Sequence, residues 1–429
     1  MLPPDSPPRH ETNPLADTAA TPATAGHHRV GALLAVLGAL TASAPLATDM
    51  YVPGLPAMGE ALGASSSTIQ LTMTTFLIGL VVGQLFFGPL SDSLGRRRLL
   101  IAGSAGFAVF SLFCAVSPNV ETLLAARFLQ GVSGAIGMAL ARAVITDRFH
   151  GRDIPKYFAV LSQILGVAPI AAPVIGGAVL AVSTWRIVFV VLAVIGVGLA
   201  VSVVVKVPES LPPERRHSGG VGSSFRAMSR LVATRRFMGY VLVLGFTGAA
   251  LFAYIGGSSF VFQDIHGVSS TVYSLIFAAN AVGVLIAGAT FGRLAHRVSL
   301  HALLVSGLAI TTVASLAQVL VVTLAGESLA GSWICLFVGN TGIGLIFPAS
   351  MSLGQNAGRS APGGASALLG AFQFTFGALA TPLVGAFGEE SSQPMAVIML
   401  VALLGAVLAV AVLVRPWQRD SEADVPATQ

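Results

Sequence analysis

Charge is scarce in this chain. Asp, Glu, Lys and Arg make up 10% of its 429 residues, against roughly 25% in an average soluble domain. So little charge cannot coat soluble domains of this length. Cysteine is nearly absent. Cys114 and Cys335 both fall inside apolar runs and read as small buried hydrophobes, which excludes a disulfide framework or a cysteine metal site. There is no Walker loop, so ATP does not drive the protein directly. The eight histidines lie in tails, loops or span ends, with no ligand-spaced pair on a span. Clustered His, Asp or Glu at membrane depth is missing, which argues against a membrane-embedded enzyme. No segment is large and polar enough for the soluble output domain of a receptor.

What fills the chain instead is apolar: 54% hydrophobic residues with 48 glycines and a mean hydropathy of +0.83. Crossing the hydrocarbon takes about 20 apolar residues. Twelve windows qualify: 30–51, 69–90, 99–117, 122–144, 157–180 and 185–206, then 237–262, 272–292, 300–324, 332–353, 364–386 and 395–415. The expected fold class is an all-α integral membrane protein of twelve transmembrane helices in two groups of six. The expected divisions are a disordered tail over 1–28, an N-terminal bundle over 29–207, a linker over 208–236, a C-terminal bundle over 237–415 and a tail over 416–429. The linker is polar and Pro-rich, with a surface helix near Ser224–Val232. The segment 1–28 has no apolar core and is not a signal peptide.

The net charge of +5 could suggest nucleic acid, but membrane topology explains it better. Arg96, Arg97, Arg98, Arg142, Arg148, Arg152, Lys156, the linker arginines, Arg293, Arg297, Arg359, Arg415 and Arg419 all fall on one set of loops and span ends. The opposite loops carry only Arg186. The positive-inside rule then places both termini in the cytoplasm of a multi-pass cell membrane protein. A weak repeat supports the two groups: the second and eighth spans both end in short basic turns, Gly88–Arg97 and Gly292–Arg297.

Few charges lie within spans, where each costs roughly 2.5–3.5 kcal/mol at the helix centre. Asp49, near the outer end of the first span, and Arg127, in the outer half of the fourth, are expected at similar depth, where adjoining helices would let them lower each other's cost. Burial disfavours an ionised Asp49 and Arg127 favours it, the balance a proton carrier needs. The plainer reading makes Asp49 an interfacial helix-end residue. Beyond the second span, Gly88, Asp92, Gly95, Arg96 and Arg97 form a small-residue turn with an acid beside arginines. Asp147 offers those arginines a second partner, and the cluster can latch one face. Simple positive-inside anchoring explains the arginines but not the acid. Pro169 and Pro173 bend the fifth span, and Gly176 and Gly177 allow close packing, expected against the other half. An ordinary kinked span is the alternative. Tyr51, Gln163, Phe252, Tyr254, Asn280, Asn340 and Gln373 are candidate substrate contacts, with Phe372 and Phe376 as an aromatic wall and Met73 and Met138 as adaptable fillers. Each could equally be packing between helices.

Gly88-x-Leu90-x-Asp92-x-x-Gly95-Arg96-Arg97 resembles motif A of the major facilitator superfamily, Leu124-x-x-Arg127-x-x-Gln130-Gly131 its motif B, and Gly166–Gly177 its antiporter motif C. With Ala47–Pro53 and Phe252–Ile255, the chain over about 30–415 is similar to the Bcr/CflA drug-resistance group, which includes bicyclomycin and chloramphenicol exporters. The resemblance implies two pseudo-symmetric six-helix bundles, alternating access, and a cavity lined by the first, fourth, seventh and tenth spans. It also implies a proton-coupled multidrug antiporter, monomeric, driven by the proton gradient without a cofactor. Its partners would be a drug-like small molecule, protons and the lipid bilayer, with no nucleic acid. The pattern departs at Ser93, where a basic residue is usual, at Ala172, where Gly is usual, and at Ala39–Ala42, where some members carry a second acid. A proton-coupled uptake symporter for a sugar or small metabolite shares the fold and motif A. Motif C and the polar-poor spans weigh against it.

Overall fold

The computed structural model describes residues 23–149, 153–212, 214, 221–387 and 391–415, and among these every regular element is helical. Twelve helices are long and apolar enough to cross a membrane. In chain order, spans one to six are Ala23–Asp49, Ser66–Leu94, Arg96–Val116, Val120–Arg148, Asp153–Val182 and Trp185–Lys206. Spans seven to twelve are Arg235–Phe260, Ser270–Leu294, Leu300–Ala325, Leu329–Ala357, Pro362–Ala386 and Gln393–Ala409. Span one begins at Ala23, so part of the segment expected to be a tail is helical. The linker helix runs Val221–Val232, close to expectation, and buries Met228 and Leu231 against the second half.

Glycine lets these helices touch. A Cβ at Gly79 would meet the carbonyl oxygen of Phe128, and one at Gly131 that of Phe76, so spans two and four pack backbone to backbone. Contact of this kind ties span two to Arg127, which matters below. At span starts, side chains of Ser65, Asn119, Ser269, Ser299 and Ser328 accept from backbone N–H groups of the first turn, satisfying donors that the bilayer cannot.

Span one stops at Asp49 and does not run through to the loop. Pro53 has no N–H to continue the helix. The chain makes a 3-10 turn over Val52–Gly54, then a short helix over Leu55–Leu62 ending at Gly63, whose φ is +60°. Residues between the first two expected span windows are therefore partly folded inward: Leu55 and Met58 are fully buried.

The two six-helix groups meet along spans two and eleven and along spans five and eight. Hydrogen bonds join them toward the end away from the arginines. Gln70 Nε2 donates to Gly256 O at 3.2 Å while its Oε1 accepts from Gly385 N at 3.0 Å. Gln263 Nε2 donates to Pro53 O at 3.0 Å, and Thr74 Oγ1 to Ala378 O at 2.8 Å. Span five takes part through two adjacent glycines that face different partners. Gly177 lies against Ser274 of span eight, in the other half, as expected. Gly176 lies against the Met50 carbonyl of its own half, which corrects the expectation that both glycines meet the other bundle. On a bent helix, neighbouring residues point about 100° apart, so both cannot face one helix.

This seal predicts that Gly177→Leu, which drives a side chain into Ser274, opens the far end. In a protein with Cys114→Ser and Cys335→Ser, a cysteine placed by Ser67→Cys is expected to react slowly with a membrane-impermeant maleimide. Adding Gly177→Leu is expected to raise that rate several-fold; an unchanged rate would contradict the seal.

Candidate functional site

The break in span one sets Asp49 between the halves. Its side chain is almost fully buried, and one carboxylate oxygen has no hydrogen-bond partner. The 3-10 turn just beyond it touches spans seven and eight. The Tyr254 and Tyr273 hydroxyls of those spans lie within electrostatic reach of the carboxylate. Asn280 Nδ2 donates to the Tyr254 hydroxyl at 2.9 Å, and Tyr273 and Ser258 share a hydrogen bond at 2.8 Å. Tyr254 stacks on Phe277 with ring centroids 5.4 Å apart. An acid with an unpartnered oxygen thus lies in the neighbourhood of two tyrosine hydroxyls of the other half, one of them bonded to Asn280.

Arg127 is not part of that cluster. The expected Asp49–Arg127 pair does not form: no ion pair joins them among the described residues. Arg127 is 0% exposed and lies inside the first half. Its Nε donates to Thr72 O at 3.3 Å, and its Nη1 to Ala47 O at 3.1 Å and to Gln130 Oε1 at 2.6 Å. The guanidinium carbon sits 4.3 Å from the ring centroids of both Tyr51 and Phe76, and 5.6 Å from that of Phe189. A desolvated cation over an aromatic face is worth about 2 kcal/mol. Two close rings and three acceptors can therefore offset the roughly 2.5–3.5 kcal/mol cost of a charge at membrane depth without a counter-ion. The depth match holds, since Arg127 reaches Ala47 and Tyr51 on either side of Asp49, but the guanidinium is turned to the carbonyls and rings of the first half and makes no ion pair with the carboxylate. Gln130 passes the network on, with its Nε2 donating to Ser111 Oγ at 2.6 Å.

The arginine end holds a second cluster. Gly95, at a φ of +91° that only glycine takes easily, ends span two and starts span three. Arg96 Nε bonds Asp147 Oδ2 at 3.1 Å, the partner expected for it, and its Nη1 reaches Ser91 Oγ. Arg97 Nη2 donates to Val204 O at 2.7 Å. Glu209, beyond span six, holds the N-terminus of span three: its carboxylate accepts from Arg96 N at 2.9 Å, Arg97 N at 3.3 Å, and the backbone of Ser210 and Leu211 at 3.1 Å each. Ser210 Oγ also donates to Asp147 Oδ2 at 2.9 Å. These contacts bind spans two, three, four and six of one half together. Gly88 leaves open space around it. The Asp92 side chain, proposed as the acid of the latch, lies outside the described residues.

The other predicted contacts separate. Tyr51 belongs to the Arg127 cage and shares a hydrogen bond with Thr72 at 3.2 Å, so it is closed to a substrate here, contrary to expectation. Asn340 is buried and donates to Leu336 O within its own helix. Phe252 is buried against Gly377, and its ring lies 6.0 Å from that of Phe374. Gln373, Phe372 and Phe376 are half-buried on span eleven, and Gln163 on span five is exposed. Met73 is buried, and Met138 Sδ accepts from Gln84 Nε2 at 3.2 Å. Pro169 and Pro173 lie inside a continuous helical span five.

A twelve-span helical protein with a charged turn after span two and paired glycines in span five matches the Major Facilitator Superfamily over residues 37–382. The chain belongs to that superfamily. It is 40% identical over 381 residues to an uncharacterized MFS-type transporter, YdgK, of Bacillus subtilis, covering 87% of this chain and 93% of that one. It is 28% identical to a bicyclomycin resistance protein homolog of Haemophilus influenzae, covering 87% and 94%. To a chloramphenicol resistance protein of Pseudomonas aeruginosa it is 30% identical, over 62% of each chain. Among solved structures it resembles a bacterial homologue of the lysosomal transporter Spinster in an inward-facing, unoccupied conformation, with a TM-score of 0.70, 16% identity and 90% of this chain covered against 96% of that one. The nucleoside transporter NupG matches with a TM-score of 0.71 at 12% identity, covering 90% and 100%. These two likenesses concern the fold. The chain is thus a membrane transporter of the superfamily and not an enzyme, with small-molecule transporters among its relatives.

Several residues of these clusters escaped sequence reasoning. Glu209 stands right after a span-ending Pro208, an acid at a basic end, and that sign mismatch was the available signal. Tyr273 gave a weaker one, as a hydroxyl-bearing ring one helical turn from Phe277 in the first turns of span eight. Gln70, which bridges the halves from both ends of one amide, looked like an ordinary polar residue of an early turn.

The cage makes a test possible. Lys keeps the charge of Arg127 but gathers its donors on one nitrogen and has no planar group to lie flat on two rings. Arg127→Lys is expected to cost about 2–4 kcal/mol, read as a clearly lower unfolding temperature in detergent together with loss of transport. An unchanged unfolding temperature would mean that the guanidinium does not hold this bundle together.

Proposed function

We propose that this transporter is a proton-coupled multidrug efflux antiporter of the cell membrane, exporting drug-like small molecules by alternating access. The observation that carries this reading is Asp49: a buried acid with an unpartnered oxygen, set next to a turn that touches the other half and in no ion pair among the described residues. A carboxylate at this depth carries a desolvation cost, and a proton removes that cost. A group in that position responds to which face of the membrane it can reach, as a proton carrier must. Arg127 acts one step away, by gripping the Ala47 carbonyl two residues before the acid.

The positive-inside rule puts the arginine ends and both termini in the cytoplasm. The sealed far end is then the outer face, and a drug enters from the cytoplasm or inner leaflet. Protonation of Asp49 from outside competes with the bound drug and releases it outward. The Arg96–Asp147–Glu209 cluster stiffens the first half as it rocks against the second. Relatives named for bicyclomycin and chloramphenicol resistance support a drug-like substrate class. Of the polar groups of the second half, half-buried Gln373 is the one we assign to meet it, while Tyr254 and Asn280 are buried and bonded to each other. The proton gradient is the sole energy source, and the unit is a monomer.

In an efflux-deficient bacterial host, the wild-type chain is expected to raise resistance several-fold to at least one of a panel including chloramphenicol and bicyclomycin. Asp49→Asn, correctly inserted, is expected to lose it. Accumulation of solutes driven inward by an imposed proton gradient, with no resistance gained, would instead support the uptake reading.

A further inference from the structure

A groove of about 860 Å³ opens at the arginine end of the first half, away from the contact between the halves. Its charged lining is Arg97, Arg148, Lys206 and Glu209, and its apolar wall includes Leu33, Phe149 and Val204. Both oxygens of Glu209 are engaged by backbone N–H groups at the start of span three. The cations are less committed. Arg148 and Lys206 are exposed. Arg97 spends Nη2 on the Val204 carbonyl, but its Nε is buried without an acceptor. The groove therefore has an excess of positive charge and one buried donor with nothing to bond.

The apolar wall does not stop at the groove. It continues along span six as Val204, Val201, Val197 and Val194, which are 49%, 57%, 55% and 65% exposed and face the hydrocarbon in a spanning helix. A polar pocket of three cations thus opens directly onto a lipid-facing stripe. A soluble anion would use the cations and leave the stripe idle. A phosphate carrying acyl chains uses both, because its head sits at the depth where spans one, three, four and six end and its chain lies along span six.

We propose that this groove binds the phosphate headgroup of an anionic phospholipid from the leaflet at the arginine end, with Arg97, Arg148 and Lys206 around the phosphate. The site is separate from Asp49 and does not depend on the direction of transport. A lipid seated there touches the ends of four helices of one half and the cluster that joins them. Its binding is salt-sensitive, since two of its three cations are exposed.

The test is native mass spectrometry of the full-length protein in detergent, titrated with phosphatidylglycerol or with phosphatidylcholine of the same chains. One phosphatidylglycerol is expected to be held under conditions that strip phosphatidylcholine. Arg148→Gln with Lys206→Gln, two exposed positions that leave the core intact, is expected to weaken that binding about tenfold, since each juxtamembrane cation contributes several-fold to anionic-lipid affinity. Arg226→Gln with Arg230→Gln, exposed cations on the linker helix, is expected to change it less than about twofold. Equal binding in the groove variant, or equal retention of the two lipids, would overturn the proposal. Displacement of the lipid by glycerol 3-phosphate at matching concentration would make it a site for soluble phosphates and overturn the lipid assignment. Lipid binding that appears only after removal of residues 1–22 would give the groove to the chain's own tail, with the same consequence.

Discussion

A single buried guanidinium organises the first half of this transporter. Among the described residues Arg127 has no counter-ion and its Nη2 no acceptor, yet it lies at membrane depth with no exposed surface. It is tolerated there because it is enclosed by Tyr51 and Phe76 and bonded to two main-chain carbonyls and Gln130. Each partner comes from somewhere different: Ala47 and Tyr51 from the end of span one, Thr72 and Phe76 from span two, Gln130 from span four itself. Withdrawing the guanidinium would remove a donor from buried carbonyls on two other helices and from Gln130 Oε1. The cation therefore acts as a tether that fixes where span one breaks.

Where span one breaks decides where Asp49 stands. A helix continuing past Asp49 would carry the following residues around its own axis. The break instead turns Met50 against Gly176 of span five and Pro53 against Gln263 just beyond span seven, so the carboxyl is left near the meeting of the halves, in the neighbourhood of spans seven and eight. Motif C contributes by the same geometry. Its two glycines place span one on one side and span eight on the other, which brings the bend of span one and the first turns of span eight to the same level. The acid, the bend and the seal are one construction, and the arginine cluster at the opposite end is a separate brace within the first half.

Much of the architecture was legible in the amino-acid order. Apolar runs with basic turns between them located all twelve spans, because length and hydropathy alone decide whether a helix crosses a bilayer. The Arg96–Asp147 contact was also readable, since both groups lie at one membrane face where few other partners compete. The Asp49–Arg127 pair was misjudged for a physical reason. Depth along a helix can be counted in residues, but the direction a side chain takes depends on which neighbours surround it, and three aromatic rings drew Arg127 inward. Tyr51 was read as a substrate contact for the same reason, its ring being spent on that cage. Glu209 and Gln70 stayed hidden because their partners are backbone groups, which leave no mark on composition.

The central claim is that Asp49 carries the proton between the halves. Infrared difference spectroscopy of the reconstituted protein, comparing substrate-bound with substrate-free states, reads the carboxyl group itself. The account predicts a protonated-carboxyl band that is present without substrate, is lost when substrate binds, and is absent throughout in Asp49→Asn. A band that survives in Asp49→Asn, or one that substrate leaves unchanged, would contradict it.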